Sequence, residues 1–273
     1  MSSQPRRLYI FTGKGGVGKT TLAKAFVRYL VEHDHEAIYL TFKNQSISES
    51  KQDNSSESSK SGIREVFLDL EDCARDYIEK KLGSKMVGSW IVKTPFFRAL
   101  VNMVPGFSYL IYLGKILEMG KANPRLIVVL DAPASGHALT MVESTTNFQQ
   151  IFESGAIFED TMKMLSRLND PLYTKIHVVS LPSLMSWQEA TELRTGLNER
   201  TPVEVEVVLN NCLYSLVKDN LSELPAGLRD KALNEKSLID QHQAEMRCIL
   251  PHSLKSESLD IELDLVGSLS KLI

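Results

Sequence analysis

Apolar positions along the chain fall into short β-rich runs separated by stretches with helical spacing. The runs are LYIFTG (8–13), AIYLTF (37–42), LIVVLDAP (126–133), KIHVVSLP (175–182) and VEVEVVLNN (203–211), with CILPHS (248–253) as a sixth. LIVVLD is apolar at consecutive positions, the pattern of a strand covered on both faces. Between the first two runs, TTLAKAFVRYLVEH carries a helical pattern. Strands joined through helices pair in parallel. The expected fold class is therefore α/β, a doubly wound, mainly parallel sheet in a single domain spanning 1–273.

Two segments depart from this alternation, and a further one raises a separate question. KNQSISESKQDNSSESSKSG (43–62) is rich in Ser, with Asn, Glu and Lys and almost no apolar residue. It reads as a mobile, solvated insert. The stretch 63–122 is long for a connection between two strands. REVFLDLEDCARDYIEKKLGS begins as a short strand and continues with helical spacing, with Asp69 or Asp72 placed to cap the helix. SWIVKTPFFRALVNMVPGFSYLIYLGKILEMGKA predicts two apolar helices split at Pro105–Gly106, making 63–122 a helical subdomain inserted on the sheet. In 147–170, Phe148, Ile151, Phe152, Ile157, Phe158, Met162, Met164 and Leu165 suit either a core or an exposed methionine-rich groove, core being the default.

Composition narrows the function by exclusion. The chain has 273 residues, 43% hydrophobic and 24% charged, enough to bury a sizeable core in the ordinary globular range. Its net charge is −3 and no Lys/Arg-rich face is evident, so no nucleic-acid partner is expected. Cys73, Cys212 and Cys248 lie far apart without a C-x-x-C pair, which excludes a zinc or iron–sulfur site built on that motif. They read as buried thiols in a reducing compartment. Arg6 and Arg7 lead straight into the first strand without an apolar leader. The most apolar stretch, around Phe96–Met119, is interrupted by Arg98, Asn102, Pro105 and Gly106. A cytoplasmic location with no stable membrane insertion is expected.

The chemistry is concentrated after the first strand. Gly13-Lys14-Gly15-Gly16-Val17-Gly18-Lys19-Thr20 satisfies G-x-x-x-x-G-K-[ST] between a strand and a helix, the P-loop pattern. Glycines let the backbone approach phosphate oxygens, and loop amides and the positive helix end face the anion. Lys19 is expected to reach the β and γ phosphates of ATP or ADP, Thr20 to ligate Mg²⁺ and Thr21 to donate to the α phosphate. Asp131, closing LIVVLD, is expected on the Mg²⁺ side. Gly136 is placed to turn on sensing the γ phosphate.

K-G-G-x-G-K-[ST] resembles the deviant Walker A signature of one branch of P-loop ATPases. DAPASGHAL (131–139) resembles the D-x-x-P-x-G-H-x-L signature of the arsenite-pump ATPase family, which includes the cytosolic factor that targets tail-anchored membrane proteins. FLDLEDCARDYIEKKLG, MVPGFSYLIYLGKILEM, HVVSLPSLMSWQEATELRTGL, VVLNNCL and CILPHS are similar to further family segments, in order. Ser108–Tyr109 and Ser183 stand where that family has acids. The resemblance implies a P-loop NTPase fold and an ATP-binding homodimer with two sandwiched nucleotides. Lys14 would reach phosphate across the interface, and Lys14, Lys19 and Asp131 would serve catalysis. It further implies that Asn210 contacts adenine, that Pro251 lies near the base, and that ATP binding and hydrolysis drive conformational change. A hydrophobic membrane-protein segment is the implied client, presented by 63–122 and 147–170.

The chain also departs from that family. Where the family has S-T-D-P-A-H, with an Asp that orients the attacking water, this chain has LTFKNQSISES. Phe42, Lys43 and Asn44 occupy the place, and no carboxylate follows until Glu49. Asn44 or Gln45 positioning a water, and Glu49 swinging in, both stay open. A zinc-tying C-x-x-C and a second P-loop are absent, so two sites would need two chains. One alternative is a hydrolysis-deficient nucleotide switch or scaffold. Another is the ATPase subunit of an oxyanion exporter, against which the scattered cysteines argue.

Overall fold

The computed structural model describes residues 4–43, 62–104, 106–151, 156–251 and 269–273. The chain runs β1 (Leu8–Gly13), α1 (Lys19–Glu32), β2 (Ala37–Phe42), β3 (Arg64–Leu68), α2 (Leu70–Leu82), α3 (Lys85–Val92), α4 (Pro95–Met103), α5 (Phe107–Ala122) and β4 (Ile127–Asp131). It continues through α6 (Ser135–Ile151), α7 (Ala156–Leu168), β5 (Thr174–Ser180), α8 (Leu184–Asn198), β6 (Val205–Cys212), α9 (Leu213–Val217), α10 (Ala226–His242) and β7 (Met246–Pro251), with a 3₁₀ turn at Leu269–Leu272. All six apolar runs form strands, and β3 is the short strand expected at the start of 63–122.

These seven strands make one sheet in the order β3–β2–β4–β1–β5–β6–β7, every pair parallel. β1, β4 and β5 are buried at every position; in β4 this follows from the unbroken apolar pattern, whereas β5 also buries Thr174, Lys175, His177 and Ser180. The chain leaves central β1 to build β2, β3 and β4 on one side and β5, β6 and β7 on the other. The crevice outside the carboxyl end of β1 is where these connections diverge, the place an open α/β sheet offers a ligand.

Both faces are covered. On one, Leu22, Phe26 and Leu30 of α1 pack on Tyr9, Phe11, Ile127 and Val129, with Leu269 and Leu272 closing the edge. On the other, Leu113 and Ile116 of α5, Met141 of α6 and Leu193 of α8 pack on Leu8, Ile10, Val128 and Leu130. Each such apolar side chain contributes about 1.5–3 kcal/mol by leaving water.

Of the two candidate caps, Asp69 starts α2: its carboxylate accepts from the Glu71 and Asp72 amides, and the helix ends at Gly83 with φ 68°. The two helices expected before β4 are three. The additional break falls at Lys93–Thr94, where the Thr94 hydroxyl accepts from the Phe97 amide and Pro95 opens a new helix. Proline fits the first helical turn and cannot continue the preceding one, so a helix boundary at T-P outweighs the continuous apolar pattern. Ala74, Val92 and Phe97 form a small third core among α2, α3 and α4, which Phe107 and Ile111 of α5 pack against. The outer side keeps Met86, Trp90, Phe96 and Met103 at 69–83% exposure.

The core-or-groove question about 147–170 divides within α7. Met164 packs so closely on α5 that a Cβ at Gly114 would sit 2.8 Å from its terminal methyl, whereas Met162 is exposed. Phe148, Ile151, Phe152, Ile157 and Phe158 lie outside the side chains described, as does the Ser-rich segment apart from Lys43 and Gly62. Among the described residues no single helix is long and apolar enough to cross a membrane. Pro95–Met103 and Phe107–Ala122 reach that length only together, bent by 98°.

Candidate functional site

The glycine loop turns from β1 into α1 in a conformation that two glycines make accessible. Gly13 has φ 137°, and a Cβ there would stand 2.3 Å from the Val179 carbonyl oxygen of β5. Gly18 has φ 89°, with a Cβ 2.5 Å from Asn210 Nδ2. It is the N-cap of α1 and supplies no capping side chain, and no acid occupies the first turn. The first-turn amides of α1 therefore lack a side-chain acceptor and point out of the sheet's carboxyl edge, where an anion fits them.

Side chains converge on that mouth from four elements, α1, β1, β2 and β4. The Lys19 ammonium donates to the Lys14 carbonyl at 2.8 Å, folding back over its own loop. Burial lowers its pKa, and Asp131 opposes the shift. The Thr20 hydroxyl, from α1, donates to Asp131 Oδ2 at 2.5 Å. Asp131 arrives at the end of β4 because its register matches Phe11 of β1 and Thr41 of β2. The Thr41 hydroxyl donates to the Asp131 carbonyl at 3.2 Å, and Thr12 ties the following turn through the Pro133 carbonyl at 3.2 Å. Thr21 stands half-buried in the first turn of α1.

This donor set fits a magnesium–phosphate group. Around Gly15 and Gly16 nothing lies within 4 Å of where a Cβ would be. A hydroxyl and a carboxylate, both oxygen donors suited to Mg²⁺, already touch beside a lysine.

Lys14 is half exposed and makes a 2.6 Å ion pair with Glu189 of α8. Asn210, expected at the base, is buried at the end of β6, where its Nδ2 donates to the Val17 carbonyl at 2.9 Å. As placed, it braces the loop from below. Pro251 ends β7 opposite Cys212 of β6, toward the far edge of the sheet from β1. Ser183, which stands where the resemblance has an acid, caps α8 by accepting from the Ser186 amide at 3.4 Å. Gly136 lies in the first turn of α6.

At the end of β2, Phe42 is turned onto α5, stacked on Tyr112 at 4.3 Å and 12°. The Lys43 amide donates to the Leu68 carbonyl at 2.9 Å. Asn44, Gln45 and Glu49, the candidates for positioning water, lie outside the described residues.

Two contributors were not apparent from sequence. Glu189 was hidden because α8 is remote in sequence from the loop. Tyr39 lies in an apolar strand run and looks like core, yet its hydroxyl donates to Asp131 Oδ2 at 2.8 Å. An O–H in an otherwise apolar strand ending beside the P-loop was the available signal.

The cysteines are buried and free. Cys73 and Cys212 belong to the core on the α5 and α8 side, Cys248 to the α1 side, so the sheet separates them. Burial pushes their thiols up to about 12, 11 and 12 respectively. That placement disfavours a shared thiolate site.

A family model described as anion-transporting ATPase matches residues 6–166, more than half of the 273-residue chain. The chain is 25% identical to the arsenical pump-driving ATPase of Acidiphilium multivorum over 93% of its own length and 42% of that protein. It is 26% identical to the Escherichia coli protein of the same name, again over 93% and 42%. It is 21% identical to ATPase BagA of Mycobacterium tuberculosis, over 81% of this chain and 70% of that one. The chain thus spans less than half the length of the arsenical pump-driving relatives.

Proposed function

The chain belongs to the anion-transporting ATPase family, and on that premise we propose that it is a homodimeric ATPase that couples ATP binding and slow hydrolysis to the handling of a hydrophobic protein segment. The observation that carries this reading is the meeting of Lys19, Thr20 and Asp131 at the mouth of the glycine loop. Loop amides and the α1 terminus bind phosphate oxygens. Lys19 exchanges the Lys14 carbonyl for the β and γ phosphates, and Thr21 donates to the α phosphate. Mg²⁺, when bound, offsets the charge of the β and γ oxygens. Thr20 keeps its hydroxyl proton on Asp131 and turns an oxygen lone pair outward. Asp131 holds that hydroxyl in place.

Lys14 supports the dimeric reading, because its pairing with Glu189 is solvent-exposed and weak, of the kind worth about 0–1 kcal/mol. A γ phosphate presented by a second copy is a stronger partner for it. Asn210 braces the loop and, with Pro251, is proposed to border the base. The client reading rests on Met86, Trp90, Phe96 and Met103, exposed apolar side chains on α3 and α4.

A second reading, a nucleotide switch without turnover, is favoured by Phe42 and Lys43. Phe42 ends β2 and Lys43 follows it where the resemblance has the acid that orients water, and Phe42 is committed to Tyr112. Multiple-turnover hydrolysis of ATP, with Lys19→Ala as blank, decides between the two. Turnover lost in the variant supports the ATPase, and ATP binding without turnover supports the switch. Absence of nucleotide binding in the wild type would sink both. In the same protein Lys14→Ala should abolish ATP-dependent dimerisation in light scattering while monomer affinity for ADP is retained. An unchanged dimer would remove the trans role of Lys14.

A further inference from the structure

Tyr39 is buried to 2% exposure in the middle of β2, a position where phenylalanine would fill the same volume. Its hydroxyl donates to Asp131 Oδ2 at 2.8 Å, the same oxygen that accepts from Thr20 at 2.5 Å. We propose that Tyr39 is a positioning residue of the magnesium–nucleotide site, setting the orientation of the Asp131 carboxylate through this shared oxygen. The inference rests on the nucleotide-site reading above.

A carboxylate oxygen offers about two lone pairs, and here both on Oδ2 are taken by O–H donors from different elements. Donors from α1 and β2 together fix rotation of the carboxylate about its Cβ–Cγ bond. The accepting capacity of Oδ1 is left uncommitted to either. With Thr20 alone, the group could pivot about a single hydrogen bond. The Tyr39 ring is itself held. Lys24 Nζ of α1 lies 5.1 Å from its centroid and pairs with Glu65 of β3 at 2.8 Å. The contacts therefore run from edge strand β3 through Lys24 and Tyr39 to Asp131 and Thr20, behind the loop. Residues that orient the groups around a metal typically matter by roughly 10–100-fold in metal affinity.

The test uses the full chain and a fluorescent ADP analogue, titrated with Mg²⁺ at fixed nucleotide. Tyr39→Phe keeps the ring and removes only the hydroxyl. The expected result is a Mg²⁺ midpoint raised by about ten-fold or more, with Mg²⁺-free nucleotide affinity at the wild-type value. In an Asp131→Asn background, adding Tyr39→Phe should move the midpoint no further, because Tyr39 acts through that carboxylate. A midpoint unchanged by Tyr39→Phe, with or without a lower melting temperature, overturns the proposal and leaves Tyr39 a core residue. Additive shifts in the double variant overturn it as well. A wild-type protein whose nucleotide binding ignores Mg²⁺ overturns the site reading itself, and that shows in the wild-type curve before any variant is compared.

Discussion

Single residues at this site answer to two demands, backbone shape and the placement of oxygen atoms. Gly13 shows the first. Its φ of 137° and the Val179 oxygen 2.3 Å from a hypothetical Cβ leave room for hydrogen alone. Gly13→Ala should lower stability by about 1–3 kcal/mol from backbone strain, with more from the displaced β5 carbonyl. Thermal melting reads the loss, and a variant melting at the wild-type temperature would contradict the geometry. Asp131 shows the second demand. It accepts from Thr20 and Tyr39 side chains and, through its carbonyl, from Thr41. Asn210 is placed by the same logic, buried because it has the Val17 carbonyl to donate to.

At the scale of elements, caps and breakers decide where helices begin. Asp69 satisfies two amides of α2, and Thr94 with Pro95 starts α4. Asp69→Ala should cost about 1 kcal/mol, the usual worth of such a cap. Denaturant unfolding would show it as a lower midpoint at constant slope. An unaltered midpoint would mean that α2 is held by its packing on α3 and α5 alone. The pairing of Lys14 with Glu189 brings the loop and α8 into contact at their exposed surface.

At the scale of the whole molecule, the sheet buries two ionisable side chains of β5, Lys175 at 2% and His177 at 0% exposure. His177 of β5 lies next to Leu272, and Lys175 stands two residues before it on the same strand. Lys175 pairs with Glu206 at 3.1 Å and Glu204 at 3.3 Å, and Arg247 reaches Glu206 at 3.3 Å. Arg247 also donates to the Lys271 carbonyl at 2.6 Å, binding residues 269–273 to the sheet. Burial, reinforced by Lys175, pushes His177 down from 6.5 to about 3. Between those values the unfolded chain binds a proton that the folded one refuses. This contribution to stability is complete above pH 6.5 and is lost as pH falls toward 3. The histidine accounts for a slope of at most ~1.4 kcal/mol per pH unit in that window. His177→Gln should therefore flatten the melting temperature against pH between 3 and 6.5. An equally steep curve would assign the acid sensitivity to other groups.

By itself, the sequence determined whatever depends on neighbours along the chain. Uninterrupted apolar runs specify strands buried on both faces, and G-K-G-G-V-G-K-T specifies a phosphate loop because its glycines and lysine act within eight residues. The strand-end position of Asp131 was legible for the same reason. Only the tertiary structure decided which distant groups meet. It paired Lys14 with Glu189, set Asn210 under Val17 and brought the Tyr39 hydroxyl to Asp131. It also put Cys248 on the opposite side of the sheet from Cys73 and Cys212. Strand order and register create those contacts. A periodic pattern records which face a residue takes, whereas its partner across the sheet follows from how the strands are ordered in space.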